Sequence, residues 1–126
     1  MSDVRVYVRC SAPATHYVSS WECDDSNIFE KTRQLGKKAY TMDRCFGTEV
    51  TNSVVFDTAV KDVVLKAMEG RNCTIFAHGH ERSGKSVMMK GDNSDSGVMK
   101  SSFEIISRCI EKQGEKVRVK VSYFEV

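Results

Sequence analysis

The feature that most constrains the fold of this chain is the segment at 79–86, which reads GHERSGKS. It matches the phosphate-loop pattern G-x-x-x-x-G-K-[ST] at every fixed position. The apolar segment CTIFA at 73–77 precedes it and predicts a short buried strand, and a helix can begin at Gly84. A phosphate-binding turn requires this order of strand, loop and helix. The sequence therefore predicts an α/β fold with a site for a nucleoside triphosphate.

Within this phosphate loop, each fixed residue type has an expected role. The backbone N–H groups of a glycine-rich turn surround phosphate oxygens, and the positive end of the following helix assists them. The Lys85 ammonium would reach the β- and γ-phosphates, and the Ser86 hydroxyl would bind Mg²⁺. The residues expected to contact the nucleotide from the loop are Gly79, His80, Ser83, Gly84, Lys85 and Ser86, with Ser86 also as the metal ligand. No residue is expected to act as a catalytic group.

Three side chains between the two loop glycines qualify this expectation. Glu81 places a carboxylate among residues that face phosphate, and it would repel the ligand unless Arg82 or a metal ion offsets its charge. His80 could touch a phosphate, although a solvent-facing or core position is the commoner role for a histidine without metal-ligand spacing. The alternative to a nucleotide-binding loop, active or relic, is a glycine-rich turn that binds no ligand.

The length and composition exclude several classes of protein. A chain of 126 residues forms one domain by length, and it is small for a fold with a sheet of five or more parallel strands. The net charge of +2 is too small to predict a nucleic acid or a membrane surface as partner. No apolar run approaches the ~20 residues of a membrane span, and the first residues lack a signal-peptide pattern. The chain is therefore expected to be cytoplasmic.

The cysteines are odd in number, spread out, and without a C-x-x-C pair. They are Cys10, Cys23, Cys45, Cys73 and Cys109. This pattern favours free thiols in a reducing compartment over a disulfide framework or a zinc site.

The first half of the chain predicts two strands and one helix. Residues 3–10 alternate apolar and polar side chains and predict strand one, and residues 39–43 predict a second strand. The polar stretch between them is irregular, with Val18 and Trp21 as candidates for a minor hairpin. A helix is expected from Asn52 to Glu69. Thr51, Asn52 or Ser53 can cap its first turn, and Gly70 stands where the helix is expected to stop. Its expected apolar face consists of Phe56, Val60, Val63, Val64 and Ala67.

The second half predicts an interrupted helix and a final strand. The helix spans 84–113 and is broken by the polar run at 91–97. It resumes near Val98 and stops at Gly114. The apolar stripe expected on its second part is Met99, Phe103, Ile106 and Ile110. Residues 116–126 alternate with a period of two and predict strand four.

Taken together, these segments resemble the N-terminal half of a kinesin motor domain over nearly the whole chain. The matching segments are YTMDRCF at 40–46 for F-x-F-D-x-V-F, 51–70 for the T-Q-x-x-V-Y helix that ends in L-x-G, NCTIFAHG at 72–79 for N-x-T-I-F-A-Y-G, GVM at 97–99 for G-I-I, and VSYFEV at 121–126 for V-S-Y-L-E-I. The pair Val63-Val64 and the strand at 117–121 lean slightly toward the kinesin-nine group of ciliary motors.

The resemblance implies a three-layer phosphate-loop NTPase fold, of which this chain supplies an N-terminal half with an incomplete central sheet. It implies ATP or ADP with Mg²⁺ as ligand, and microtubules, tubulin or an axonemal or cytoskeletal assembly as partner, with a location in the cytoskeleton or cilium. Arg9 matches the first arginine of the family's R-x-R-P and would contact adenine. The second arginine and the proline fall on Ser11 and Ala12.

The departures from the family pattern concentrate at the nucleotide site. His80, Glu81 and Arg82 replace the Q-T-G of the family's loop, and the switch I and switch II segments needed for hydrolysis are absent from residues 1–126. We therefore expect a structural or assembly component with a relic or weak ATP site and no autonomous motor activity. The alternatives are a segment of an ATP-driven microtubule motor, with kinesin-type ATPase activity if the missing half is supplied elsewhere, and an unrelated small nucleoside-binding enzyme. A second chain that completes the sheet is one partner this pattern allows.

Overall fold

A computed structural model of the chain describes residues 4–11, 20–31, 38–114 and 117–124. In these ranges the short strands come first along the chain and the helices follow. The strands are β1 (Tyr7–Arg9), β2 (Trp21–Cys23), β3 (Asn27–Glu30), β4 (Ala39–Thr41) and β5 (Arg44–Phe46). The helices are α1 (Asn52–Val55), a π-helical turn (Phe56–Val60), α2 (Lys61–Met68), α3 (Lys85–Lys90) and α4 (Val98–Gln113). This mixture confirms the α/β class, and the complete three-layer arrangement stays a prediction.

The strands form two small sheets. Strands β1 and β5 pair in parallel, with Val8 opposite Cys45, and parallel neighbours need a long crossover between them. That crossover contains the second sheet, which is antiparallel and has the order β2-β3-β4. The Cys45 N–H donates to the Asp25 carbonyl oxygen at 2.8 Å, so the hairpin that joins β2 to β3 is held against β5.

The hairpin between β2 and β3 is built on an aspartate turn. Asp24 Oδ1 accepts the backbone N–H groups of Ser26 at 2.9 Å and Asn27 at 2.7 Å. Such Asx turns close short loops, and these hydrogen bonds lower the pKa of the Asp24 carboxyl. The expected minor hairpin therefore exists and includes Trp21, while Val18 lies outside the described residues.

One continuous helical rod over residues 52–68 provides most of the core. Thr51 is its N-cap, with Oγ1 accepting the Val54 N–H at 3.4 Å, and Gly70 follows its end with a φ of +91°. The buried apolar core consists of Phe46, Val55, Phe56, Ala59, Val60, Val64 and Val98. Ala67, expected on the same face, is exposed. The π turn spaces its hydrogen bonds at i to i+5, so the buried face does not follow a strict 3.6-residue period.

The interrupted helix forms with the expected breaks. Helix α3 ends at Gly91, α4 begins after Gly97, and Gly114 ends it with a φ of +64°. The buried face of α4 differs from the apolar stripe expected from the sequence. Met99 and Phe103 are exposed, whereas Ile105 packs against the core beside Ile106. Contact with the 52–68 rod decides which face of α4 is buried. The 3.6-residue spacing of apolar residues alone does not distinguish this face from the adjacent face of the helix. Across the described ranges, no helix has the length and apolar character needed to span a membrane.

Two expected strands are not formed, and this corrects the sequence-based interpretation. Residues 73–77 and 117–124 have no strand structure, and residues 116, 125 and 126 lie outside the described part. The segment 73–77 is also not buried, with the Phe76 side chain 80% exposed. Strand one is shorter than the expected 3–10: it covers Tyr7–Arg9, and residue 3 lies outside the described part. Alternation of apolar side chains becomes a strand only where a neighbouring backbone supplies the hydrogen-bond ladder.

Candidate functional site

The phosphate loop is a tight turn between the segment 73–78 and helix α3. The Ser83 N–H donates to the His80 carbonyl oxygen at 3.2 Å. A Cβ on Gly79 would lie 2.6 Å from Ser83 Oγ, and Gly84 has a φ of +92°, so both positions require glycine. The geometry of the turn therefore explains why the sequence pattern has glycine at both positions.

Lys85 folds back into this turn. Its Nζ atom donates to the carbonyl oxygens of Gly79 and His80, each at 2.7 Å. Two of the three N–H donors of the ammonium are thus used inside the loop. The positive charge is held where the pattern expects a phosphate, and a phosphate oxygen would compete with these two carbonyls for the same donors.

The other expected contact residues lie around this ammonium. His80 is exposed, with Nδ1 3.0 Å from the Glu81 carbonyl oxygen, and Ser83 is exposed at the end of the turn. Ser86 is the second residue of α3, and its side chain is exposed. The structure therefore brings the expected loop residues into one turn, with the Ser86 hydroxyl on the adjoining helix.

The two charged substitutions in the loop have different structural effects. Glu81 is exposed at the tip of the turn, so its carboxylate adds negative charge close to the expected phosphate position. Arg82 has a φ of +60°, the left-handed region, at a position where the resemblance expects glycine. A residue with a Cβ is less stable there by roughly 1 kcal/mol or more. The loop keeps its turn with a strained residue in place of a permissive one.

Arg9 is engaged by the protein framework. Its Nη1 donates to Asn52 Oδ1 and lies 3.9 Å from the Met88 sulfur, and its Nη2 donates to the Val50 carbonyl oxygen at 2.8 Å. These partners place the guanidinium between β1, the 52–68 rod and α3. A contact between Arg9 and adenine stays a prediction.

Asn52 is the site-positioning residue that sequence reasoning missed. It is 1% exposed, its Nδ2 donates to the Val87 carbonyl oxygen at 3.2 Å, and its Oδ1 accepts from Arg9. Its backbone N–H donates to the Asp95 carboxylate at 2.5 Å. The sequence identified it only as one of three candidate caps, and the cap is Thr51. Asn52 thus joins β1, α3 and the loop at 91–97 to the start of the 52–68 rod.

The loop that interrupts the helix is shaped by Asp92. Its Oδ1 accepts the Ser94 hydroxyl at 2.7 Å and the backbone N–H groups of Ser94 and Asp95 at 2.8 and 2.9 Å. These hydrogen bonds, with the Ser94 hydroxyl as the largest contribution, lower the pKa of the Asp92 carboxyl. This turn places the Asp95 carboxylate where it accepts the backbone N–H of Asn52. The loop between α3 and α4 is therefore bonded to the start of the 52–68 rod.

A groove of about 210 Å³ adjoins the phosphate loop at the end of β1. Its lining residues are Val8, Arg9, Cys10, Ser11, Trp21, Ile28 and Ser83. The Ser11 hydroxyl donates to the Ser83 carbonyl oxygen at 3.2 Å, which ties the groove to the loop. The mixture of an indole, aliphatic side chains and polar groups is suited to a planar ring.

The Ser86 hydroxyl is the one side chain of the turn expected to contact a metal ion. Within residues 4–11, 20–31, 38–114 and 117–124, no three His, Cys, Asp or Glu side chains are grouped so that they could hold a metal ion. Mg²⁺ at nucleotide sites takes few protein ligands and completes its octahedron with phosphate oxygens and waters. An exposed Ser86 hydroxyl beside the loop fits that role, so the residues present are compatible with a nucleotide-bound Mg²⁺.

Comparisons with known proteins show which family the chain belongs to. The family model described as kinesin motor domain matches residues 8–126. The kinesin-like protein KIN-7K, chloroplastic, of rice (Oryza sativa subsp. japonica) is 38% identical over 108 residues, which covers 85% of this chain and 10% of the relative. KIN-7M, chloroplastic, of Arabidopsis thaliana is 41% identical over 92 residues, or 70% of this chain and 8% of the relative.

The similarity is not confined to plant proteins. The kinesin-like protein cut7 of Schizosaccharomyces pombe is 31% identical over 105 residues, which covers 77% of this chain and 10% of the relative. The chain thus spans about a tenth of the length of the curated relatives it matches. Because the family model matches nearly all of its residues and relatives above 30% identity cover most of it, the chain belongs to the kinesin motor domain family.

Proposed function

We propose that this chain is a kinesin-like, microtubule-associated protein with a weak site for ATP or ADP and Mg²⁺, acting as a structural or assembly component of the cytoskeleton. It has no motor activity of its own. The observation that carries the nucleotide site is the position of Lys85, whose Nζ lies 2.7 Å from two carbonyl oxygens of the loop. An ammonium held inside a glycine-bounded turn is the arrangement that binds phosphate oxygens.

Binding in this site needs one exchange of partners. Lys85 would release the carbonyl oxygens of Gly79 and His80 and donate to the β- and γ-phosphate oxygens, while Ser86 would contribute one metal ligand. The groove beside Ser83 and Trp21 would receive the base. Bound Mg²⁺ would supply positive charge that offsets part of the repulsion between the phosphates and Glu81.

The loop supports weak binding. The Glu81 carboxylate repels phosphate, and the Arg9 guanidinium is shared among Asn52, Val50 and Met88. A site that makes two fewer hydrogen bonds to the charged phosphates, each worth about 1.5–3 kcal/mol, binds the nucleotide more weakly by roughly a hundredfold or more. We therefore expect affinity about two orders of magnitude below that of an intact motor.

The proposal of no autonomous motor activity concerns residues 1–126 taken alone. Coupling hydrolysis to movement requires a switch element that senses the γ-phosphate and a tubulin-facing element that moves with it. A ligand shifts a structure only by its different affinity for two states of such an element. These residues supply the phosphate loop and neither of the other two parts.

The second candidate function is that of the N-terminal segment of an ATP-driven microtubule motor. The observation that favours it is the length of the relatives, since the chain spans 10% of KIN-7K and of cut7. The exposed apolar residues of 117–124 are consistent with it, because further strands could pair there. In that case Lys85 and Ser86 keep their catalytic-site roles. Membership of the kinesin-nine group and a location in the cilium stay predictions.

A nucleotide titration with matched lysine variants tests the site. A fluorescent ATP analogue with Mg²⁺ is titrated into the chain and into the variants Lys85→Ala and Lys90→Ala. Both lysines belong to α3, but only Lys85 points into the loop. We expect weak binding that falls at least about tenfold in Lys85→Ala and is unchanged in Lys90→Ala. Micromolar binding by the unmodified chain, abolished in Lys85→Ala, would show an intact site and contradict the proposal of weak binding.

The effect of Glu81 is tested separately by the isosteric variant Glu81→Gln. This change removes the charge and keeps the shape of the side chain, so binding should tighten by about threefold to tenfold at low salt. The gain should shrink as salt is added, because the residue is exposed. An unchanged affinity at every salt concentration would show that Glu81 does not face the phosphates.

Microtubule assays separate the two candidate functions. The chain is sedimented with microtubules with and without ATP, and phosphate release is measured over a microtubule titration. We expect sedimentation that does not depend on nucleotide and no stimulation of phosphate release by microtubules. Stimulated turnover by residues 1–126, lost in Lys85→Ala, would support the motor function and exclude the structural one.

A further inference from the structure

We propose that Cys10 and Cys23 are a redox-active pair that closes into an intrachain disulfide, at the end of β1 beside the phosphate loop, when the chain meets an oxidised low-molecular-weight thiol such as glutathione disulfide. The spacing of the cysteines in the sequence predicted free thiols and did not indicate this pair. The proposal does not depend on nucleotide binding.

The geometry places the two sulfurs in contact. The Sγ atoms of Cys10 and Cys23 are 3.4 Å apart, and the Cys10 thiol donates its hydrogen to the Cys23 sulfur. A disulfide bond is about 2.05 Å long, so closure brings the two sulfurs about 1.4 Å closer together. In the described part of the chain, no other pair of cysteine sulfurs makes a hydrogen bond.

The surrounding backbone holds both cysteines in this position. The Cys10 N–H donates to the Phe46 carbonyl oxygen at 2.9 Å, which extends the pairing of β1 with β5. Cys23 is the last residue of β2 and lies opposite Ile28 in the antiparallel register. Each thiol therefore belongs to a different sheet, and a disulfide would join the two sheets covalently.

Both thiols are reachable from solvent. Cys10 and Cys23 are half-buried, and each lines one of two open cavities, of about 210 and 220 Å³. A third thiol, Cys45, also lines the cavity of Cys23, but it is only 5% exposed and burial raises its pKa. A small disulfide can thus approach the pair, and Cys45 is the less reactive competitor in the same cavity.

The two thiols differ as nucleophiles. Burial and the neighbouring Cys23 raise the pKa of Cys10 to about 12, so Cys10 is a poor nucleophile at neutral pH. Its sulfur lies 3.4 Å from that of Cys23, within reach for the second step. We therefore assign the first attack to Cys23, as its thiolate.

Closure takes two balanced exchange steps. The Cys23 thiolate attacks one sulfur of glutathione disulfide, forms a mixed disulfide and releases one glutathione thiolate. The released thiolate takes up a proton. Cys10 then loses its proton to solvent, and its sulfur attacks the Cys23 sulfur, which releases a second glutathione thiolate. The two cysteines lose two electrons, and one glutathione disulfide is reduced to two glutathione molecules.

The disulfide would act on the loop through Ser11. Ser11 follows Cys10 directly and donates its hydroxyl hydrogen to the Ser83 carbonyl oxygen. Trp21, two residues before Cys23, lines the same groove. Oxidation would therefore fix the wall of the groove that adjoins the phosphate loop.

Peptide mapping tests the pairing directly. The chain is incubated with glutathione disulfide, alkylated under denaturing conditions and digested with trypsin. Residues 10–31 form one tryptic peptide that contains Cys10 and Cys23, and each other cysteine lies on a separate peptide. We expect this peptide to lack both alkyl groups and to be lighter by about 2 Da than its reduced form. A peptide alkylated at both cysteines, or one linked to residues 45–61 through Cys45, would overturn the proposal.

Three single variants test the order of attack. In Cys10→Ser, Cys23 should accumulate one bound glutathione, whereas in Cys23→Ser, Cys10 should remain free. Cys73→Ser is the matched control, since Cys73 is exposed outside the pair, and it should close as the unmodified chain does. Glutathione on Cys10 in Cys23→Ser at the same rate as on Cys23 would contradict the order of steps.

A measurement on the unmodified chain separates folded geometry from closeness in sequence. Closure is timed in buffer and in concentrated urea at the same pH and glutathione disulfide concentration. We expect the step from mixed disulfide to closed pair to be at least about tenfold slower in urea, because the unfolded chain must close the loop at an entropic cost. Equal or faster closure in urea would show that the fold does not prepare the pair.

Discussion

The molecule has a packed side and an open side. The packed side consists of β1, β5, the 52–68 rod and α4, and it contains the buried core around Phe56. The open side is our name for two separate exposed segments, residues 71–78 and 117–124, in which Phe76 is 80% exposed and Val121 is 81% exposed. Both sides have apolar residues in patterns typical of regular structure. Only the packed side has neighbours that complete those patterns.

The comparison of β1 with 117–124 shows what a strand needs. Residues 4–9, which contain β1, and residues 117–122 both have valine at every second position. Tyr7–Arg9 becomes a strand because β5 lies beside it in parallel register. Residues 117–124 keep the pattern without a strand, since no described backbone pairs with them. A period of two thus indicates a capacity for pairing, and the partner decides whether it is used.

The largest expected difference between the two sides is the cost of removing a phenylalanine. Phe56→Ala should destabilise the chain by about 3–5 kcal/mol, because Phe56 is 5% exposed and its loss leaves a cavity in the core. Phe76→Ala is the matched control on the open side and should change stability by less than about 0.5 kcal/mol. Urea titration followed by the helical circular dichroism signal measures both. Equal effects would show that the open side is packed in solution.

A smaller loss of stability is expected at the polar junction of the packed side, by which we mean Asn52 and its hydrogen-bond partners. Asn52→Ala removes the acceptor for Arg9 and the donor to Val87 and should cost about 2–3 kcal/mol, since both partners lose a buried contact. Asn93→Ala, at an exposed position of the 91–97 loop, should change stability by less than about 0.5 kcal/mol. The same urea titration applies. If Asn52→Ala proved as mild as its control, the junction would contribute nothing to the packed side.

The smallest expected change in stability belongs to the open side, where the effect is on association. We expect the isolated chain to self-associate, because unpaired edges and exposed apolar side chains are a liability for a soluble monomer. The double variant Val121→Lys with Tyr123→Lys should shift the chain toward monomer without loss of helix. Val4→Lys, at an equally exposed valine beside β1, should not. Light scattering after gel filtration measures the mass. A monodisperse monomer of the unmodified chain would contradict the prediction.

The candidate site was predictable where its geometry is local. The two glycines, the turn between them and the return of Lys85 into it all lie within eight residues, so the sequence pattern contains them. Asn52 was not predictable, because its bond to Arg9 joins residues 43 positions apart. The same holds for the contact between Cys10 and Cys23, which depends on how two sheets meet. No local pattern distinguishes such a side chain from an ordinary cap or a free thiol.

The sequence by itself determined the features whose energies are local. Backbone preferences and nearby hydrogen bonds account for the Thr51 cap, the glycine stops at Gly70 and Gly114, the break at 91–97 and the glycine-bounded turn at 79–86. The tertiary structure alone decided which alternating segments became strands, which face of α4 was buried, and which polar groups met at Asn52. These outcomes depend on neighbours distant in the chain, because a hydrogen-bond ladder and a buried surface each require two partners.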